Sequence, residues 1–229
     1  EGWLDEGLAR YATELAARSF LPGDTTTYHQ YLTFGDLYNA YQYLLDPGDS
    51  YLLLVADNGT LAESGASWLF VRFLVDQYST SIPNLPALLV QSPYIGPMNI
   101  TARTNGGSFQ TIVTDWAMAN YVSHLQVPGF TAPAALKYTS WSFRATYDTL
   151  HRSSNALTAS RYPLDYPLVP AVAPGDQVYL SGKLRSGSGY YVRAMQGPAA
   201  QAFALSFTLD GTNALDTTVV PRLDVVRIR

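Results

Sequence analysis

Carboxylate and imidazole side chains are the groups in this chain most able to bind metal ions or transfer protons. An acidic pair, Asp5 and Glu6, lies near the start and is followed by a glycine, which lets another backbone approach closely. The chain has no cysteine and contains three histidines, which are His29, His124 and His151. None of them is followed by glutamate, and none lies four residues from another. The sequence therefore lacks the His-Glu-x-x-His pattern that supplies two zinc ligands from one helix.

Glu6 has two interpretations. Apolar residues recur every three or four positions through this stretch, which predicts a helix over residues 3–20. In the first turn of a helix, a carboxylate meets the positive end of the dipole and can cap backbone amides. Alternatively, Glu6 is a zinc ligand, although a catalytic zinc site takes about three protein ligands plus water. Both interpretations are open at this point.

The opening segment resembles the second zinc-ligand segment of the gluzincin metallopeptidases. The matching residues are Trp3, Leu4, Asp5 (where the family usually has Asn), Glu6, Gly7 and Ala9. Later segments, in the same order, are similar to hyicolysin-like bacterial peptidases. They are residues 64–78, 89–92 and 108–121. The resemblance thus covers roughly the first half of the chain, from Trp3 to Val122.

The resemblance implies specific roles for a few residues. Glu6 would be a zinc ligand, and zinc would be the cofactor of a complete family member. The two histidine ligands would come from a His-Glu-x-x-His segment that this sequence does not contain. His29 and Tyr31 are weak candidates for stabilising an oxyanion near the metal, with an ordinary polar loop as the alternative. Beyond these, no catalytic residue and no bound cofactor are expected in this chain.

Two functions follow from this incomplete site. In the first, the chain is a metallopeptidase-derived protein that acts as a non-catalytic structural or accessory subunit. In the second, it is the C-terminal part of an active zinc-dependent endopeptidase whose His-Glu-x-x-His segment lies outside the sequence. The resemblance is to bacterial proteins, and the low charge with abundant Tyr, Gly, Pro, Ser and Thr favours a periplasmic or secreted location in either case.

The composition limits the possible partners. Charged residues make up 14% of the chain, below the ~25% usual for soluble domains. The net charge is −4 and there is no basic run, which argues against nucleic acid. No apolar stretch reaches the ~18 residues of a membrane-spanning helix. The low charge and the 17 tyrosines favour a protein partner or a larger assembly, including one at a membrane surface.

The periodicity changes after residues 127–133, a stretch rich in Pro and Gly. Before it, the pattern predicts helices over residues 3–20, 34–45, 64–78, 84–91 and 108–122. After it, alternating residues predict strands over 138–147, 177–184, 190–196, 202–209 and 223–229. We therefore expect an α+β chain with a helical metallopeptidase-like domain, a linker and a small β-sandwich. The predicted bounds are 1–126, 127–133 and 134–229.

Overall fold

A computed structural model describes residues 2–21, 23–54, 59–105, 107–173, 184–195 and 206–228. These residues are mostly helical. The α-helices are α1 (Gly2–Ser19), α2 (Thr25–Tyr28), α3 (Leu37–Leu45), α4 (Leu61–Tyr78), α5 (Leu85–Val90), α6 (Gly96–Arg103), α7 (Phe109–Val122), α8 (Phe143–His151) and α9 (Ala156–Arg161). A π-helix (His29–Asp36) and two 3₁₀ turns (Pro47–Asp49 and Ala134–Leu136) complete the helical elements.

One small sheet accompanies these helices. Strand β1 (Ala171–Ala173) pairs with β2 (Val192–Ala194) in parallel, with Ala171 opposite Val192. The described residues are therefore α+β in the coarse sense that they combine many helices with one two-stranded sheet. None of the helices in the described segments is long and apolar enough to cross a membrane.

Helix α4 lies at the centre of the fold. Thr60 and Glu63 form a capping box at its start, so its first backbone amides are bonded. Thirteen of its residues are buried, since the helix is apolar nearly all round, and it includes the predicted helix over 64–78. Its neighbours approach backbone to backbone. A β-carbon at Gly65 would lie 2.2 Å from the carbonyl carbon of Asn39 in α3, and one at Gly7 would lie 2.5 Å from the carbonyl oxygen of Ser67.

The core extends past the predicted linker. Tyr147 of α8 packs edge-on against Tyr41 at 5.4 Å, and its hydroxyl donates to the carbonyl of Leu37 at 3.0 Å. Tyr138 packs in the same way against Phe73 of α4, at 5.9 Å. Side chains on both sides of residues 127–133 therefore share one aromatic core.

The prediction of a strand over residues 138–147 is wrong. Phe143 begins α8, and Thr139 and Trp141 belong to the irregular segment before it. Phe143 and Tyr147 are both buried and four residues apart, a spacing that fits one face of a helix as well as one face of a strand. The segment from 134 to 168 thus contributes helices and turns to the core in place of sandwich strands.

The other predicted strands lie at residues 177–184, 190–196, 202–209 and 223–229. Residues 177–183 and 202–205 of the predicted strands lie outside the described residues. Strand β2 falls within the predicted 190–196, but it pairs in parallel with β1, which lies outside the predicted strands. Residues 206–209 and 223–228 are described and are not strands, so the prediction is wrong there. Val225 is 80% exposed, and an apolar pattern without a partner strand or a packed face does not hold a strand in water.

Candidate functional site

Glu6 lies in the second turn of α1, on the side that meets α4. Its Oε1 accepts a hydrogen bond from Arg10 Nε at 2.8 Å and another from Ser64 Oγ at 2.6 Å. Partial burial acts to raise the pKa of Glu6. The hydrogen bonds from Ser64 and Arg10 and the charge of Arg10 outweigh it and lower that pKa below its usual value. Glu6 is therefore an ionised carboxylate held by two side chains of this chain.

Charged side chains of α1 form a ladder with a step of four residues. Glu6, Arg10, Glu14 and Arg18 alternate in sign, so each carboxylate has a cation one turn away. Arg18 Nε donates to Glu14 Oε1 at 3.0 Å. This alternation is visible in the sequence, and it is the signal that could have pointed to Glu14 before the structure was known.

Glu14 is the most completely enclosed charge of this ladder, with no exposed surface. Four donors reach it: Trp68 Nε1 at 3.1 Å, Trp141 Nε1 at 2.8 Å, Arg72 Nη1 at 3.4 Å and Arg18 Nε at 3.0 Å. Burying a carboxylate is costly unless cations and hydrogen bonds compensate, and both are present here. The arrangement joins α1, α4 and the segment before α8 through one side chain.

Arg72 extends this network along α4. Its Nη2 donates to Asp76 Oδ1 at 2.8 Å, while Asp76 Oδ2 accepts from the backbone N–H groups of Thr139 and Ser140 at 2.9 and 3.2 Å. Burial acts to lower the pKa of Arg72, but Glu14 and Asp76 raise it above its usual value. Both carboxylates of the network are bonded through each oxygen, while Arg72 Nε has no hydrogen-bond partner among the described residues, so the network ties α1, α4 and the segment before α8 together.

Asp36, unlike Glu14 and Asp76, is a buried carboxylate that lacks hydrogen-bond donors among the described residues. It ends the π-helix, directly after Gly35, whose backbone angles of φ −108° and ψ −106° break the helical path. Its side chain is buried, and neither carboxyl oxygen accepts a hydrogen bond from any residue that the structure describes. The nearest cation is Arg10, with Nη1 3.7 Å from Oδ1. Burial raises the pKa of Asp36 to about 7, against the opposing effect of Arg10.

The structure does not join Glu6 to the other candidate residues. His29 Nδ1 lies 2.8 Å from Thr33 Oγ1 in its own π-helix, and the His29 ring packs against Tyr28 at 5.5 Å. Tyr31 is 46% exposed. Among the described residues, which include all three histidines, no three metal-ligating side chains are grouped so as to hold a metal ion. These residues by themselves do not fit a zinc centre, which takes about three protein ligands.

A groove lies beside the Glu6 segment, between α1 and the corner where α5 meets α6. It has a volume of about 430 Å³. Its lining residues are Leu4, Asp5, Leu8, Ala9, Leu89, Val90, Ser92, Tyr94, Ile95, Gly96 and Asn99. This groove could not be predicted from the sequence, because its two walls are eighty or more positions apart.

Comparison with protein-family models, with curated proteins and with solved structures gives no match for this chain. The relationship to gluzincin peptidases therefore stays a prediction from the sequence. What the geometry adds is the set of partners around Glu6 and the adjacent groove.

Proposed function

We propose that this chain is a metallopeptidase-derived, extracytoplasmic bacterial protein that acts as a non-catalytic structural or accessory subunit. Its helices up to Val122 would correspond to the C-terminal lobe of a gluzincin peptidase. The observation that carries the proposal is the state of Glu6. The one residue that the resemblance marks as a zinc ligand is bonded to Arg10 and Ser64, and no set of metal ligands accompanies it in the described part of the chain.

The composition supports a role in contact with other proteins. The chain has 14% charged residues, and large apolar side chains such as Val90, Ile95 and Val225 are exposed on its surface. Hydrogen bonds from Trp68 and Arg72 of α4 to Glu14 of α1 hold these two helices in a fixed relation to each other. A rigid surface of this kind suits docking, because little order remains to be imposed when a partner binds.

One observation favours the alternative, in which the chain is the C-terminal part of an active zinc-dependent endopeptidase. Both hydrogen bonds to Glu6 converge on Oε1, and the side chain keeps 40% of its surface exposed. A metal held by histidines from another segment could therefore reach this carboxylate from the solvent side. In this alternative the missing ligands come from outside the sequence, so the chain alone is still inactive.

Two experiments test the proposal. The first is hydrolysis of an internally quenched peptide library by the purified chain with added zinc. We expect the same background rate for the chain and for Glu6→Gln, and hydrolysis that depends on Glu6 would overturn the proposal. The second is the coding sequence on the 5′ side of Glu1. A continuous reading frame that encodes His-Glu-x-x-His there would replace the accessory role with the endopeptidase alternative.

A further inference from the structure

We propose that a pocket beside the end of α7 binds a monocarboxylate with an apolar body, held by His124 and Lys137. The inference goes beyond the proposed accessory role and does not depend on it. It assigns a ligand class to two residues for which the resemblance to peptidases implies no role.

The pocket lies in the segment that follows α7 and has a volume of about 560 Å³. This volume falls within the range of roughly 300–1,000 Å³ that is typical of small-molecule sites. Polar and apolar side chains both line it. The apolar part of the lining includes Leu125, Val127, Pro128 and Phe130. These side chains can cover the hydrocarbon body of a ligand, whose removal from water is favourable.

The charge in the pocket has one sign. Lys137 is partly buried in the lining, and no Asp or Glu is among the described residues that line the pocket. No described carboxylate forms an ion pair with Lys137. Arg144 of α8 also lies close enough to act electrostatically on His124. The pocket therefore attracts an anion and repels a cation.

His124 supplies an N–H donor beside this charge. Ser123 is buried, and its Oγ accepts a hydrogen bond from the backbone N–H of Tyr138 at 3.0 Å. The hydroxyl hydrogen of Ser123 also needs an acceptor, and His124 Nδ1 lies 3.0 Å away. The hydroxyl therefore donates to Nδ1, which places the proton of the neutral imidazole on Nε2. No hydrogen bond joins Nε2 to a described residue, so its N–H is free to bind a ligand.

The number of charges selects a carboxylate. Burial, Lys137 and Arg144 lower the pKa of His124 below its usual value, so its imidazole is neutral at pH 7 without a ligand. The lining then offers one full positive charge, on Lys137, and one neutral N–H donor, on His124. A carboxylate has one negative charge and two acceptor oxygens, which match these two groups. A phosphate dianion would bring a second negative charge for which the lining has no cation.

The affinity should depend on pH through His124. The charged groups acting on its imidazole are Lys137 and Arg144, and Ser123 is bonded to Nδ1. A bound carboxylate offsets these cations and stabilises the imidazolium, so it raises the pKa of His124. Because the complex binds the proton more tightly than the free chain does, the ligand binds more tightly as the pH falls. The ligand stays ionised at pH 5.5, since a carboxyl of this kind has a pKa of about 4.3.

The test uses phenylpropanoate and its uncharged amide, phenylpropanamide, as ligands of the full chain. Titration followed by the ring signals of His124 and Phe130 in NMR spectra gives both the affinity and the position. We expect the carboxylate to bind roughly tenfold more tightly than the amide at pH 7 and to shift these signals. Equal binding of the two ligands, or shifts confined to other parts of the chain, would overturn the inference.

A charge variant separates the ammonium group from general apolar binding. Lys137→Gln should weaken binding of phenylpropanoate roughly fivefold and leave binding of the amide unchanged. The matched control is Arg152→Gln, which also removes one positive charge, from a side chain that is 73% exposed and lies outside the pocket. The affinity of this control should equal that of the unchanged chain. Equal losses in the two variants would mean that net charge alone attracts the ligand, and they would overturn the assignment.

A second variant tests the histidine. In the unchanged chain, phenylpropanoate should bind roughly threefold more tightly at pH 5.5 than at pH 8. His124→Asn should remove this difference, and Asn suits the position because its φ of 56° lies in the left-handed region that Asn tolerates. Circular dichroism confirms that each variant is folded. A pH dependence that persists in His124→Asn would contradict the role of this imidazole.

A further pair of ligands identifies the source of the carboxylate. The pair is acetyl-Leu-Phe with a free C-terminus and the same dipeptide as its amide. If the free dipeptide competes with phenylpropanoate and the amide does not, the pocket accepts the C-terminus of a protein. If phenylpropanoate alone binds, the ligand is a small free acid. Both results support a carboxylate site. Failure of both acids to bind would overturn the inference and leave the accessory role, which is tested by Glu6-dependent hydrolysis, untouched.

Discussion

Replacing Asp36 by asparagine removes a titrating group from a buried position while keeping the size of the side chain. Asp36 has no exposed side-chain surface, and its carboxyl oxygens have no hydrogen-bond donor among the described residues. Arg10, at 3.7 Å, is too far for a hydrogen bond. An ionised carboxylate is therefore poorly compensated at this position.

The size of the effect follows from the pKa. Burial raises the pKa of Asp36 from 3.8 in a free side chain to about 7. At 1.36 kcal/mol per pKa unit, this difference corresponds to a loss of stability on the order of 4 kcal/mol when the group ionises fully. The sign follows from proton binding. Below the pKa that Asp36 has in the unfolded chain, its side chain is protonated in both the folded and the unfolded state, so no stability is lost. The loss of stability grows as the pH rises towards 7, and it is complete above that pH.

Urea unfolding followed by tryptophan fluorescence measures this difference. The difference in unfolding free energy between Asp36→Asn and the unchanged chain should rise by roughly 2–3 kcal/mol from pH 5 to pH 8, in favour of the variant. The matched control is Asp148→Asn on the exposed face of α8, where Asp148 pairs with Arg152 at 2.6 Å in solvent. The control should change by less than about 1 kcal/mol at either pH. An Asp36→Asn difference that is independent of pH, or a variant that is less stable at pH 8, would refute this account of Asp36.

Three further changes test the packing and the Glu6 site. Trp141→Phe removes one donor to Glu14, so urea unfolding should show a loss of about 1–3 kcal/mol, and no loss would mean that this bond does not stabilise the fold. Gly65→Ala forces a β-carbon against the backbone of α3, so the melting temperature of this variant should fall well below that of Gly23→Ala. In the Gly23→Ala control, the nearest atom to the new β-carbon would be 3.8 Å away. Equal melting temperatures would contradict the close helix contact. Ser64→Ala removes a hydrogen bond to the Glu6 carboxylate, so the pKa of Glu6 measured by NMR should rise towards its usual value, and an unchanged pKa would show that Ser64 does not hold this side chain.

The helices that position Glu6 could be predicted from local pattern. Helices α1, α4, α5 and α7 lie close to their predicted positions, because apolar residues at spacings of three and four recur over a full helix length. Helix α8 was missed since it is short, and its buried residues Phe143 and Tyr147 satisfy the alternation of a strand as well.

The side-chain network could not be predicted, because its members are distant in sequence. Trp141 is 127 positions from Glu14, and only the packing of the aromatic core brings its indole N–H to that carboxylate. The same holds for Asp36, whose burial depends on the way α1 and the π-helix pack together. A charge ladder on one helix is visible in the sequence, whereas the tertiary donors that complete it are not.

We propose that the residues the structure describes form no zinc site by themselves, although Glu6 resembles a gluzincin zinc ligand. Equilibrium dialysis against zinc, followed by measurement of the metal content of the chain and of Glu6→Gln, tests it most directly. We predict far less than one zinc per chain, with equal values for both proteins. One tightly bound zinc per chain that is lost in Glu6→Gln would contradict the claim.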